Sequence, residues 1–264
     1  MTFFEALRSR AEEIDSWVCV GLDPVLEKLP SHLRGCRNGL RDFTLAIVEA
    51  TLEAACCFKP NLAFYLAEGL PGIHLLEELR RTVPSAVPII LDAKAGDIGS
   101  TAAAYARAFF ETWGFDAVTV NPYVGDEAIL PFVNYAERGV YVLARTSNPG
   151  SCRLQQHHEL WRRVVETARE WNQHGNLGLV MGATQPEDLA AARQAAPDLP
   201  FLIPGVGAQG GDLAAAVLHG PTADGVPPVI NSSRGIIYAS DGRDFAQAAR
   251  NAAMGLRDQI RRQR

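Results

Sequence analysis

Two carboxylates and one ammonium group fall close together at Asp92, Lys94 and Asp97. They follow the apolar run Val87-Pro88-Ile89-Ile90-Leu91, which has the composition of a buried parallel strand. Residues two apart on a strand share a face, so Asp92 and Lys94 are expected to point the same way. Gly96 then lets the chain turn, placing Asp97 on the loop beyond. Two carboxylates near an ammonium favour its charged form. Such a lysine can donate a proton, whereas a Schiff-base lysine needs a depressed pKa. The same three charges could instead close a strand as a structural ion pair, and at this level both readings stand.

The elements that must carry these residues repeat along the chain. Short apolar runs predict strands at Trp17–Leu22, Ala55–Phe58, Val87–Leu91, Ala117–Val120, Val140–Ala144, Leu177–Met181, Phe201–Ile203 and Pro228–Ile230. Helical patterns lie between them, at Leu40–Ala54, Gly72–Thr82, Ser100–Trp113, Leu160–Asn172, Pro186–Gln194 and Gly211–Leu218. Alternation of this kind implies βαβ units, and eight of them in 264 residues predict an α/β fold of the (β/α)8 TIM-barrel class. We expect a single domain over residues 1–264, with an N-terminal helix and with loop extensions at 29–39 and 219–228. A doubly wound open sheet is the competing fold, weakened because no G-x-G-x-x-G follows the first strand.

On a barrel the polar residues ending the strands meet on one face, where active sites are built. Asp23 ends the first predicted strand, Lys59 the second, Asp92 and Lys94 the third and Asn121 the fourth. Arg145-Thr146-Ser147-Asn148 ends the fifth and Asn231-Ser232-Ser233-Arg234 the eighth. Two Gly-rich turns, Pro204–Asp212 and Ser232–Gly235, fall after strands seven and eight, the usual phosphate site of such barrels. Glycines admit backbone N–H groups close to an anion, and Arg234 can grip a phosphate with its planar fork. A phosphorylated small molecule is the implied ligand.

Composition narrows the class further. A formal net charge of −5 gives no general attraction to nucleic acid or acidic membranes. The start of the chain lacks a signal-peptide pattern and no apolar run approaches membrane-spanning length, so a soluble cytoplasmic protein is expected. Five cysteines without a C-x-x-C read as buried thiols in a reducing compartment. The six histidines show no metal-binding spacing, and no cofactor motif is present, so neither metal nor cofactor is expected.

Taken in order, these blocks resemble the orotidine 5'-phosphate decarboxylase family. The carrying motif is Asp92-x-Lys94-x-x-Asp97-Ile98-x-x-Thr101. Supporting it are Gly21-Leu22-Asp23-Pro24, Lys59-Pro60-Asn61-x-Ala63-Phe64, Val120-Asn121-Pro122-Tyr123-x-Gly125, Arg145–Gly150, the Pro204–Asp212 turn and Ser233-Arg234-Gly235. The Arg-Thr-Ser-Asn-Pro form looks like the bacterial subgroup with the larger subunit. One departure is Ala95, a position where the family often carries a basic residue.

The resemblance implies decarboxylation of orotidine 5'-phosphate to uridine 5'-phosphate, the last step of de novo UMP synthesis, without a cofactor. It implies Lys94 as proton donor, Asp92 as the carboxylate set against the substrate's own, and Lys59 as the link from ribose to the charged array. Asp23 would contact the ribose and Ser147 the pyrimidine, while Gln209, Arg234 and Gly235 would hold the phosphate. Asp97, Ile98 and Thr101 would reach into a neighbouring subunit's site, making a homodimer with shared active sites. The competing enzymatic reading is a metal-dependent barrel of the hexulose-phosphate synthase or keto-gulonate-phosphate decarboxylase type, which shares Asp-x-Lys-x-x-Asp and would hold Mg²⁺ with its acids. The Arg-Thr-Ser-Asn-Pro and Ser-Arg-Gly blocks favour the pyrimidine enzyme over it. A non-catalytic barrel binding a phosphorylated ligand would not require a protonated lysine between carboxylates.

Overall fold

The computed structural model describes residues 1–206 and 210–264. Within them the chain runs α1 (Phe3–Glu13), β1 (Val18–Leu22), α2 (Gly39–Thr51), β2 (Ala55–Pro60), α3 (Leu62–Ala67), α4 (Gly69–Thr82) and β3 (Ile90–Ala95). It continues through α5 (Gly99–Arg107), β4 (Ala117–Val120), α6 (Asp126–Val133), β5 (Gly139–Arg145), α7 (Cys152–Gln155), α8 (Leu160–Trp171), β6 (Leu177–Met181) and α9 (Pro186–Ala195). It ends with β7 (Phe201–Pro204), α10 (Leu213–His219), β8 (Val229–Ser232), α11 (Arg234–Ile237) and α12 (Phe245–Arg261).

The strands form one parallel sheet in the order β2-β1-β8-β7-β6-β5-β4-β3. Its two ends meet through parallel bridges between Phe58 and Ile89 and between Asn61 and Asp92, which close the barrel. Strands such as β1, β2, β4 and β6 are buried along their whole length, because helices cover the outside and side chains fill the inside. The expected TIM barrel is therefore the observed one, and the open doubly wound sheet is not. Among the described residues no helix is long and apolar enough to cross a membrane.

Helix α1 seals the end of the barrel away from the strands' C-termini. Thr2 caps it, accepting from Glu5 N–H while the Glu5 carboxylate accepts from Thr2 N–H at 2.8 Å. Phe3, Phe4 and Leu7 are buried in one cluster with Cys19, Cys57, Ile90, Ala117 and Tyr141. Both phenylalanine rings meet Tyr141 edge-on, at 6.0 and 5.7 Å between centroids. Gly139 is required beneath them, since a Cβ there would lie 2.3 Å from Phe3 Cδ1.

Four differences from the sequence reading have physical causes. Strand β3 begins at Ile90 rather than Val87 and runs through the charged residues to Ala95, because its carboxylate and ammonium are paired inside the barrel mouth. The helix expected over 100–113 widens after Arg107 into a π-turn, Ala108–Thr112. That widening seats two consecutive aromatics, with Phe109 stacked on Trp113 and Phe110 edge-on to Phe132. Helix α6, absent from the expected helices, is short and carries Pro131 inside it. Of the five cysteines, all free, Cys36 and Cys152 are exposed rather than buried.

The plug gives a test. Phe3→Ala is expected to lower unfolding stability by about 3–5 kcal/mol, as for other buried aromatics. Gly139→Ala should also destabilise, and the double variant should lose less than the sum, because the clash partner is gone. Urea titration of the three variants measures this, and strict additivity would disprove the packing described.

Candidate active site

Asp23, Lys59, Asp92, Lys94, Ser147, Arg234 and Gly235 line one cavity of about 370 Å³ at the C-terminal mouth of the barrel. That volume falls within the range of small-ligand sites. Its floor is apolar, with Leu143, Val180 and Leu202 from β5, β6 and β7. One flank is charged and the opposite one is Gly-rich.

Asp92 organises the charged flank. Its Oδ2 accepts from Lys59 Nζ at 2.8 Å and from Asn61 Nδ2 at 3.5 Å. Its Oδ1 accepts from Lys94 Nζ at 2.5 Å and from Thr119 Oγ1 at 2.8 Å. Lys59 and Asp92 are nearly inaccessible, whereas the Lys94 side chain is 45% exposed and reaches into the mouth. Burial works against the charged form of Asp92. The Lys59 and Lys94 ammonium groups overcome that and hold its carboxyl well below the usual carboxylate range. Burial likewise acts to lower Lys59, but Asp92 and Asp23 outweigh it and raise the ammonium above the ordinary lysine range.

The backbone at Lys94 is unusual. Its φ is +48°, in the left-handed region that non-glycine residues enter at a cost of about 1–3 kcal/mol. The β3–β4 register slips here, with Leu91 opposite Val118 but Ala95 opposite Val120. Asp92 and Lys94 do share the cavity, as alternation predicts, but a bulge rather than a regular strand brings them together.

The loop after β5 is set by Arg145, a 1% exposed residue assigned no role from sequence. Its guanidinium donates to Asp188 at 2.7 Å and to Ser151 Oγ at 2.5 Å. Gln155 joins this network, accepting from Thr146 N–H at 2.9 Å. Ser147 is thereby held against β6, where Gly182 has no room for a Cβ, which would lie 2.9 Å from Ser147 N and Cα. Across the cavity, Pro204, Gly205, Val206, Arg234 and Gly235 form the rim after β7 and β8. Gln209, expected at this rim, lies outside the described residues. Asp23 is set by the turn after β1, where Tyr238 Oη accepts from Val25 N–H and donates to the Asp23 carbonyl. Its Oδ1 is buried without a hydrogen-bond partner among the described residues.

Asp97, Ile98 and Thr101 do not line the cavity. They occupy the turn after β3 and the start of α5, with Ile98 56% exposed. Thr119 is the contributor that sequence reasoning missed. Its only signal was a hydroxyl inside the otherwise apolar strand Ala117–Val120. Among the described residues no group of three or more His, Cys, Asp or Glu is placed to hold a metal ion.

Comparison with known proteins gives the following matches. Residues 16–249 match the model of the "Orotidine 5'-phosphate decarboxylase / HUMPS family". An orotidine 5'-phosphate decarboxylase from Thermomicrobium roseum is 50% identical, covering 99% of this chain and 96% of its own. One from Cupriavidus taiwanensis is 48% identical over 100% and 99%. The solved structure of Leishmania donovani OMP decarboxylase is 40% identical, covers 99% and 98%, and superposes with a TM-score of 0.86.

The ion pair predicts a stability pattern. Asp92→Asn leaves the buried Lys59 ammonium beside a neutral group and is expected to cost about 3–5 kcal/mol. Removing both charges, with Lys59→Met and Asp92→Leu, should cost less than that single change. The depressed Asp92 contributes stability above its unfolded value of about 3.9 and loses it as pH falls through the folded value. The raised Lys59 contributes stability below about 10.4 and loses it as pH rises through the folded value. Wild type should therefore lose stability relative to the double variant only below about pH 4 and above about pH 10. A relative loss near neutrality in chemical denaturation would show that the pair is not charged as described.

Proposed function

The chain belongs to the orotidine 5'-phosphate decarboxylase / HUMPS family, and on that premise we propose that Lys94 protonates C6 of a pyrimidine nucleotide as CO2 leaves it. The reaction is decarboxylation of orotidine 5'-phosphate to uridine 5'-phosphate, in pyrimidine biosynthesis. Full-length relatives at 48–50% identity that carry the decarboxylase name favour this reading over the sugar-phosphate branch of the same family.

The observation that carries the proposal is the ammonium of Lys94, held 2.5 Å from Asp92 and facing the cavity. Loss of CO2 from C6 leaves an electron pair with no carbonyl to receive it. A reaction of this kind is helped by fixed charge aimed at the developing carbanion. Both oxygens of Asp92 are occupied by donors, two of them ammonium groups, so its carboxylate anchors the array and orients Lys94. The same two ammonium groups disfavour a divalent cation at Asp92, which supports the reading without metal or cofactor. The unpartnered Oδ1 of Asp23 offers an acceptor to a ribose hydroxyl, and Ser147 stands at the pyrimidine edge. Arg234 and Gly235, with Gln209, take the phosphate. Phosphate binding remote from C6 can supply the energy that organises the charged flank.

Asp97, Ile98 and Thr101 stand outside this cavity, and we assign them to the site of a second copy. The elements following β2, β3 and β4 expose large apolar side chains: Leu66, Leu70, Ile98, Tyr105, Tyr123 and Val124. Large apolar side chains left exposed on three successive elements support a homodimer interface on that side of the barrel. The free cysteines fit a reducing compartment, and the reading places the enzyme in the cytoplasm, as one barrel domain acting on a small nucleotide rather than nucleic acid or membrane.

Two experiments test this. Purified protein should release CO2 from orotidine 5'-phosphate, and Lys94→Ala should abolish turnover while still binding uridine 5'-phosphate. Turnover within about tenfold of wild type would remove Lys94 from the role. For the shared site, Lys94→Ala and Asp97→Ala homodimers should each be nearly inactive. Subunit exchange between them creates one intact site per heterodimer, so activity should return, up to about half the wild-type value if the sites act independently. Verified exchange without recovery rules out sharing.

A further inference from the structure

Resting on that reading of Lys94, we propose that the Thr119 hydroxyl is a positioning residue for the decarboxylation, holding both the backbone and the counter-ion of Lys94. The β3–β4 register leaves Asp92, Ala93 and Lys94 together opposite the single residue Thr119. A bulge of this size forfeits ladder hydrogen bonds, and a buried N–H without a partner is costly. Thr119 supplies the missing partner. Its Oγ1 accepts from Lys94 N–H at 2.9 Å and donates to Asp92 Oδ1 at 2.8 Å. One hydroxyl can do both, since it carries one donor and two acceptor sites. Thr119 is 1% exposed, so water cannot readily replace it.

The same atom thus fixes Lys94 from two directions. It holds the main chain where φ is +48°, and it orients the carboxylate that receives Lys94 Nζ at 2.5 Å. Valine has the shape of threonine without the hydroxyl. It would leave the Lys94 N–H orphaned and take one donor from Asp92, while filling the same space against the barrel interior. The ligand contacts assigned to Ser147, Arg234 and Gly235 lie elsewhere on the cavity wall and would remain.

The test compares wild type, Thr119→Val and Thr119→Ser with orotidine 5'-phosphate, following CO2 release. Thermal unfolding and uridine 5'-phosphate binding establish that each variant is folded. Displacing a proton donor by a fraction of an ångström to one ångström costs up to about 100-fold. Thr119→Val is therefore expected to lower kcat by about 10- to 100-fold with KM within about threefold of wild type. Thr119→Ser, which restores the hydroxyl but not the methyl, should recover kcat to within about threefold. If Thr119→Val does not fold, Thr119→Ala replaces it as the variant without hydroxyl. A kcat for the hydroxyl-free variant within about twofold of wild type overturns the proposal, as does a Thr119→Ser loss as large as that of Thr119→Val. If wild type itself releases no CO2, the decarboxylase reading falls and this inference with it. If wild type turns over and Thr119→Val matches it, only the role of Thr119 is withdrawn.

Discussion

Everything at the mouth of this barrel depends on keeping one buried carboxylate ionised. Asp92 is buried, and desolvation works against its charged form. Four donors from three strands and the turn after β2 offset that: Lys59 on β2, Asn61 beyond it, Lys94 on β3 itself and Thr119 on β4. The Asn61–Asp92 bridge also closes the sheet, so the electrostatic centre and the seam of the barrel coincide. A carboxylate with this many donors has little freedom to reorganise, the condition under which fixed charge acts most strongly on a reacting centre.

The two halves of the barrel are built on opposite principles. Below, α1 and the strand starts make a dry aromatic and thiol cluster with Tyr141 at its middle. Above, many of the polar groups at the strand ends pair with one another, as with Arg145, Asp188 and Ser151 around the Ser147 loop, while Asp23 Oδ1 has no partner among the described residues. The lower half provides rigidity through packing, and the upper half specificity through hydrogen-bond geometry. The division explains why residues such as Arg145, fully buried yet charged, can be tolerated: the network around it compensates for its desolvation.

Much of this was legible in the sequence because composition and period carry it. Eight apolar runs alternating with helical patterns point to a barrel, and of the polar residues closing those runs Asp23, Lys59, Asp92, Lys94, Ser147 and Arg234 line one cavity, whereas Asn121 and Arg145 do not. What escaped was conformation that no period records. The expectation that Asp92 and Lys94 share a face was met, yet through a bulge and a left-handed backbone invisible in a strand pattern. Thr119 was unremarkable as a β-branched residue on a β-strand, because its role depends on which neighbour lacks a ladder partner. Helix α6 was not among the expected helices; it is short, carries Pro131 inside it, and is held by the buried Ile129 and Phe132. Asp97, Ile98 and Thr101 carried a motif, yet the fold places them outside the cavity that the other motif residues line.

The plug formed by α1 has a consequence for biosynthesis. It precedes all eight strands in the sequence, but Phe3 N–H bonds to the carbonyl of Glu137 and the Phe3 and Phe4 rings rest on Tyr141, far along the chain. Until β4 and β5 emerge from the ribosome, Phe3, Phe4 and Leu7 have nowhere to dock. The growing chain must carry the apolar face of that helix unburied until those strands are made, a long-range closure that slows folding and exposes it to aggregation. Sealing the floor is thus a late event, and the capping box at Thr2 and Glu5 lets the helix form locally while it waits.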